Sequence, residues 1–283
     1  MNSEEYYNLG KKFFEQKDYQ QAVNYFEQII NLDKTKYSQD IIILTAYKNL
    51  GNDFYDRGYY DKALENYNKA IELNPDYALA YNNRGIIYYS EERLGRAIAN
   101  FNKALVLDPN FTMAYNNKAL AYHKRKWFKA AVKLYSKAID LDPNYATAYF
   151  NRGITYHKKK FFDLAIKDYS KAIELKSNYL LAHFNRALVY TTILEIDKAI
   201  ADYSKEIEIN PISTISYHNR AALYSDRGQF REALQDFNKV IEIDPKNAMA
   251  YYNRSIVYKR AGQIDLANQD LDIAKRLDPN QYT

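Results

Sequence analysis

Apolar residues recur along this chain in paired short segments. Within most 34-residue windows, apolar or small residues stand at offsets 4, 8 and 11, then at 17, 20, 21, 24, 27 and 28. That is the i, i+3, i+4, i+7 spacing of amphipathic helices, so each window predicts two of them. The six prolines set the register: they fall at 75, 109, 143, 211, 245 and 279, separated by 34 or 68 residues, with Ser177 in the one slot without a proline. Proline biases the residue before it away from α geometry and so ends the second helix of each window. A period of this length marks stacked supersecondary units, none of which buries its apolar face alone.

With the proline slot as position 32, the windows span 3–36, 44–77, 78–111, 112–145, 146–179, 180–213, 214–247 and 248–281, with a seven-residue insertion within 34–43. Position 20 is always alanine, from Ala22 through Ala165 to Ala267. Position 11 is always aromatic, from Phe13 to Tyr258, and position 24 is aromatic from Phe26 to Phe237. Position 4 is tyrosine apart from His183, and position 8 is small, as in Gly10, Gly51, Gly85, Ala119 and Gly153. Together these slots resemble the tetratricopeptide repeat (TPR) family over nearly the whole chain. The resemblance implies an all-α, right-handed superhelical solenoid of eight helix-turn-helix hairpins, a single array over 1–283. Small residues at positions 8 and 20 let paired helices approach, and the aromatics fill the space between them. Seven extra residues are about two helical turns, so residues 38–43 are expected to lengthen the first helix of the second repeat, capped by Ser38 or Asp40.

The terminal repeats differ from the others. Positions 21 and 28, aliphatic in seven repeats, become Asn268 and Lys275 in the eighth, and position 3, small elsewhere, is Glu5 in the first. Solenoids need polar caps, so a complete, monomeric array is expected.

Composition removes most enzyme plans. Eight glycines in 283 residues leave little for a P-loop, a dinucleotide-binding turn or a nucleophile elbow. The absence of cysteine excludes disulfides, thiolate metal sites and a cysteine nucleophile. An acidic start, Met1-Asn2-Ser3-Glu4-Glu5, does not read as a secretory signal. The longest uncharged run, Ile209 to Asn219, is far short of the roughly 20 apolar residues of a membrane helix. A soluble, cytoplasmic protein without membrane insertion is expected. His123 and His157 share position 12 without a second ligand one turn on, and no Ser/His/Asp or paired-carboxylate arrangement stands out. Neither a catalytic site nor a metal or other cofactor is expected.

Arginine at position 7 (Arg84, Arg152, Arg186, Arg220, Arg254) precedes Asp168, Asp202, Asp236 and Asp270 by sixteen residues in four repeats, and Asn100 in the repeat of Arg84. One ion pair per hairpin is the simplest use of them. Position 6 is asparagine throughout: Asn8, Asn49, Asn83, Asn117, Asn151, Asn185, Asn219 and Asn253. The family resemblance implies that positions 2, 5, 6, 9, 12 and 13 line the concave groove. There an amide row, similar to the asparagine ladder of O-linked N-acetylglucosamine transferase, can bond an extended peptide without reading its sequence. Bonding to neighbouring helices is the competing use. Lys48, Asn52 and Asn83 match half of a carboxylate clamp, but Met113 and Asn117 stand where its cationic half belongs.

Charge concentrates in the middle. Repeat 4 carries seven Lys/Arg against Asp140 and Asp142, and repeat 5 seven against Asp163, Asp168 and Glu174. Lys124 and Lys158 occupy groove position 13, while position 5 turns aromatic at Phe150, Phe184 and Tyr252. The expectation is a non-enzymatic protein-interaction scaffold binding a peptide segment with acidic residues over repeats 4 and 5 and apolar residues towards repeats 5 to 8. Two alternatives stay open: polyanion or nucleic-acid binding through the basic repeats, disfavoured because the spare aromatics lie beyond them, and service as a helper or targeting subunit of an enzyme complex.

Overall fold

The computed structural model describes residues 1–282 and contains no strand among them. The chain forms two compact units, Met1–Pro143 and the part from Asn144 onward. Helices of the first are α1 (Ser3–Glu15), α2 (Tyr19–Leu32), α3 (Lys34–Tyr37), α4 (Ile41–Asp56), α5 (Tyr60–Leu73), α6 (Ala78–Ser90), α7 (Leu94–Leu107), α8 (Thr112–Lys124) and α9 (Phe128–Leu141). Those of the second are α10 (Ala146–Lys158), α11 (Phe162–Leu175), α12 (Leu180–Thr192), α13 (Ile196–Ile209), α14 (Thr214–Asp226), α15 (Phe230–Ile243), α16 (Ala248–Arg260) and α17 (Ile264–Leu277). Apart from α3 they pair as successive hairpins, four to a unit, and from the third hairpin on each first helix begins at the residue the 34-residue register names. No helix is long and apolar enough to cross a membrane among the described residues.

The hairpins close on the position-24 aromatics. Tyr67, Phe101, Tyr135, Tyr169, Tyr203 and Phe237 are fully buried, and burial of such a ring contributes roughly 1.5–3 kcal/mol. Position 8 is small because the ring lies directly against its backbone: a Cβ on Gly51 would come within 2.5 Å of Tyr67, and one on Gly85 within 2.6 Å of Phe101.

One turn geometry joins the two helices of every hairpin. Position 15 is left-handed throughout, at Lys17, Gly58, Glu92, Lys126, Lys160, Leu194, Gly228 and Gly262. The next residue donates its backbone N–H back to the position-11 carbonyl, as Trp127 does to Tyr122 at 2.9 Å. Position 15 itself donates to position 12, as Lys126 does to His123 at 2.8 Å. This is a Schellman cap, which satisfies carbonyls that the helix end leaves free.

The insertion divides its length between two elements. Its first part winds the separate short helix α3, and only three residues extend α4. Asp40, rather than Ser38, is the cap, accepting from the backbone N–H of Ile42 at 2.8 Å and of Ile43 at 3.2 Å. Asp40 also accepts from the Tyr7 hydroxyl at 2.8 Å, and Tyr37 stacks on Tyr7, which ties the insertion to α1. Burial and the adjacent carboxylate push the Tyr7 hydroxyl up to about 12.

Candidate functional site

The first helices carry the position-6 asparagines, and in the first unit these join their neighbours in one chain of amides. Asn116 donates to Asn117 (3.4 Å), Asn117 to Asn82 (3.0 Å), Asn82 to Asn83 (3.1 Å) and Asn83 to Asn52 (2.9 Å); the Tyr67 hydroxyl also donates to Asn52 (2.7 Å). Asn82 and Asn116 are buried. The chain links three successive hairpins, and the sequence signal for it is the doubled asparagine at positions 5 and 6. In these bonds each donating amide uses one of its two N–H groups, so the half-buried Asn83 and Asn117 each carry a second. Asn49 is also half-buried. Lys48, on the same helix, is held below the ordinary lysine range by burial.

The second unit bonds its asparagines differently. Asn185 donates to the Leu181 carbonyl one turn back at 2.8 Å, and Asn253 contacts His218 Nε2 at 2.9 Å. Burial lowers the His218 pKa, which keeps the ring neutral and its Nε2 able to accept. Asn151 and Asn219 are half-buried on the same face.

The position-5 aromatics are not exposed anchors. Phe150 is only 7% exposed, packed on Tyr179 at 4.9 Å and Tyr169 at 5.9 Å. Phe184 packs against Tyr203 at 5.9 Å, and Tyr252 stacks on Tyr282 at 4.7 Å. Position 5 meets aromatics from the hairpin's second helix and from the segment after it, contacts that residue type alone does not reveal. Exposed apolar side chains stand at position 2 instead. Leu79 and Met113 in the first unit and Leu181, Ile215 and Met249 in the second are between 37% and 61% exposed. They were legible in the sequence as apolar residues in a slot the core does not need.

Both position-13 lysines are exposed, and Lys124 pairs with Glu92 at 2.9 Å and lies 5.3 Å over the Tyr89 ring. His123 and His157 each meet a ring edge-on, Phe128 and Phe162. No group of three or more His, Cys, Asp or Glu able to hold a metal exists among the described residues.

Position-7 arginines form the expected bonds and a further set. Arg186 grips Asp202 with two bonds of 2.7 and 2.8 Å, as Arg220 grips Asp236, Arg254 Asp270 and Arg152 Asp168. Arg84 donates to Asn100 at 2.8 Å. Nη1 reaches back sixteen residues to the preceding hairpin: Arg84 to Asn68, Arg186 to Ser170, Arg220 to Ser204 and Arg254 to Asn238. Each of these guanidinium groups joins consecutive hairpins, a structural duty. His183 adds to one such joint. Its ring nitrogens face Asp202 Oδ1 at 3.0 Å and the Ser177 carbonyl at 3.1 Å, so the one histidine in the tyrosine slot meets the one residue replacing a proline. Burial pushes both Asp202 and Asp236 up. At Asp236 burial outweighs Arg220, while at Asp202 the donors Arg186 and His183 together hold the carboxyl below its ordinary range.

Where the insertion separates the first two hairpins, a cleft lies between α2 and α5. Tyr47, Leu50 and Phe54 floor it, with Gln20, Asn24 and Glu27 on one wall and Lys62, Asn66 and Lys69 on the other.

Tetratricopeptide repeat profiles match residues 3–36, 78–111, 146–179, 215–247 and 237–269, and a TPR repeat profile matches 51–91 and 127–160. A comparison with curated proteins gives no match. Among solved structures, the chain is similar to YrrB, described as a TPR protein with an unusual peptide-binding site, at 25% identity and a TM-score of 0.58, over 64% of this chain and 93% of that one. It is similar to the C-terminal part of a TPR repeat-containing protein from Cytophaga hutchinsonii at 20% identity and a TM-score of 0.68, over 82% of this chain and 95% of the other. A tetratricopeptide repeat protein from Parabacteroides merdae matches at 22% identity with a TM-score of 0.58, over 84% and 94%. The last two likenesses bear on the fold.

Proposed function

Because the chain belongs to the tetratricopeptide repeat family, we propose that it is a non-enzymatic interaction scaffold that holds an extended or helical peptide segment of a protein partner against its first helices. The observation that carries this reading is the position-2 row, an exposed Leu181, Ile215 and Met249 on successive hairpins of the second unit. Beside it run Asn185, Asn219 and Asn253, whose amides suit a peptide backbone. Packed helices lie about 8–10 Å apart, while an extended peptide advances about 3.3 Å per residue. In a polyproline-type extended peptide, with three residues per turn and about 3.1 Å per residue, side chains three residues apart share a face and meet successive hairpins, and a helical ligand does the same at a spacing of about seven residues. The likeness to YrrB, with its peptide-binding site, supports the same use.

Lys158 adds a preference for acidic residues in the second unit. In the first, Leu79 and Met113 with Asn83 and Asn117 repeat the arrangement, and Lys48 and Asn52 extend it. The test is to select peptides from a displayed random library with the intact chain and measure their affinity for two variants. Leu181→Ser with Ile215→Ser and Met249→Ser is expected to weaken binding by at least about tenfold at unchanged helicity, given roughly 25 cal/mol per Å² of apolar surface lost. Asn185→Ala with Asn219→Ala is expected to cost about 0.5–1.5 kcal/mol per bond. Full binding by the apolar-row variant would refute this use of the face.

A further inference from the structure

One inter-helix turn of the second unit presents an aliphatic side chain to solvent. Position 15 is left-handed, and Gly228 and Gly262 meet that demand in the last two hairpins. The hairpin before them has Leu194 there, at φ 63° and 79% exposed. A leucine is strained in this conformation, and so exposed a side chain recovers nothing by burial. The capping bonds, from the Leu194 N–H to the Thr191 carbonyl at 3.2 Å and from the Glu195 N–H to the Tyr190 carbonyl at 2.9 Å, account for the backbone but not for an exposed aliphatic side chain where every other hairpin has glycine, lysine or glutamate. On the preceding hairpin the same turn carries Lys158, Lys159 and Lys160, all exposed, followed by Phe161 at 53% exposure. Two apolar tips on neighbouring turns thus stand beside three cations.

Acidic groups along this edge are largely neutralised in place. Glu195 pairs with Lys198 at 3.3 Å, Asp197 is held by both terminal nitrogens of Arg227, and Asp226 meets Arg260 at 3.3 Å. Asp163 is the nearest remaining carboxylate to the three lysines in sequence. The field at the turn is therefore positive, and its complement is an anionic partner.

We propose that this edge docks on an anionic phospholipid surface, Phe161 and Leu194 entering the interfacial layer while Lys158, Lys159 and Lys160 meet the headgroups. Apolar tips flanked by lysines combine the two forces that hold proteins at such surfaces, apolar burial and attraction to anionic headgroups. Leu194 favours lipid over nucleic acid, since an aliphatic tip offers no face on which a base can stack. The first unit holds a similar turn, Lys124-Arg125-Lys126-Trp127, with Trp127 exposed under the Arg125 guanidinium at 5.0 Å.

The test is flotation of the full chain with phosphatidylcholine vesicles with or without phosphatidylserine. The wild type is expected to float with the anionic vesicles alone, less so as salt rises. Leu194→Gly removes the apolar tip and relieves the backbone, so it is expected to melt higher yet bind several-fold more weakly. Lys159→Glu with Lys160→Glu is expected to lose about tenfold or more in partitioning. Absence of flotation with anionic vesicles, undiminished binding by Leu194→Gly, or binding of single-stranded polyuridylate without binding of vesicles would each overturn the proposal.

Discussion

Two junctions at the same place in the repeat are built of opposite materials. Between the third and fourth hairpins, Ala104, Phe111 and Ala114 form one buried cluster. The equivalent slots between the sixth and seventh hairpins hold Glu206, Ser213 and Ser216. Ala70, Tyr77 and Ala80, and Ala172, Tyr179 and Ala182, follow the apolar pattern, so the polar junction is a departure. Glu206 is 2% exposed and Ser216 fully buried, yet Glu206 Oε2 and Ser216 Oγ lack hydrogen-bond partners among the described residues. Each such buried group costs about 1–3 kcal/mol. In a repeat array, stability is approximately a sum of hairpin and junction contributions. The period thus fixes where hairpins stack without fixing how strongly, and the sixth and seventh hairpins are the pair set to separate first.

The most severe way to break the contrast is to import it. Ala104→Glu places a carboxylate in the apolar junction and is expected to cost about 3–5 kcal/mol, read as a lower urea midpoint. An unchanged midpoint would mean that the slot accepts a charge freely. Asp202 shows how a buried carboxylate is accommodated when it has donors. Its pKa is depressed because Arg186 and His183 outweigh burial, so the stability it confers is present above the ordinary aspartate value of about 3.9 and lost as the pH falls through the lower folded value. Asp202→Asn is accordingly expected to cost about 1.5–3 kcal/mol at neutral pH, with the gap to wild type closing in melts below about pH 4.

Glu206→Ala tests the polar junction directly, with an expected gain of about 1–3 kcal/mol from removing the unpartnered acceptor; a lower melting temperature would show that the carboxylate holds the junction together. Turns diverge in the same fashion, Gly58 in one hairpin and Leu194 in another meeting one backbone demand. For Leu194→Gly, lost strain set against glycine's greater chain entropy leaves an expected gain of about 0.5–1 kcal/mol, the smallest of the four.

Helix pairs, their register and the Arg/Asp bonds were legible because each depends on residue type at a fixed spacing. Arginine's second partner was not, since any short polar group serves at that slot, and Asn68, Ser170, Ser204 and Asn238 share only an acceptor oxygen. The left-handed position was hidden for a related reason. Backbone bonds impose it on lysine, glutamate and leucine as well as glycine, so no residue type marks it. Phe150 and Tyr252 misled because position 5 fixes a place on the helix but not the neighbour that covers it, whereas His183 was legible as a core residue although its partners, Asp202 and Ser177, were not.

The amide chain from Asn116 to Asn52 has a calorimetric consequence. A peptide bonded by the second N–H groups of Asn83 and Asn117 replaces water and leaves the amide chain in place, so little net enthalpy is gained there, while covering Leu79 and Met113 removes apolar surface from water. Binding on the first unit should therefore show itself in a negative heat-capacity change, with a heat that varies steeply with temperature.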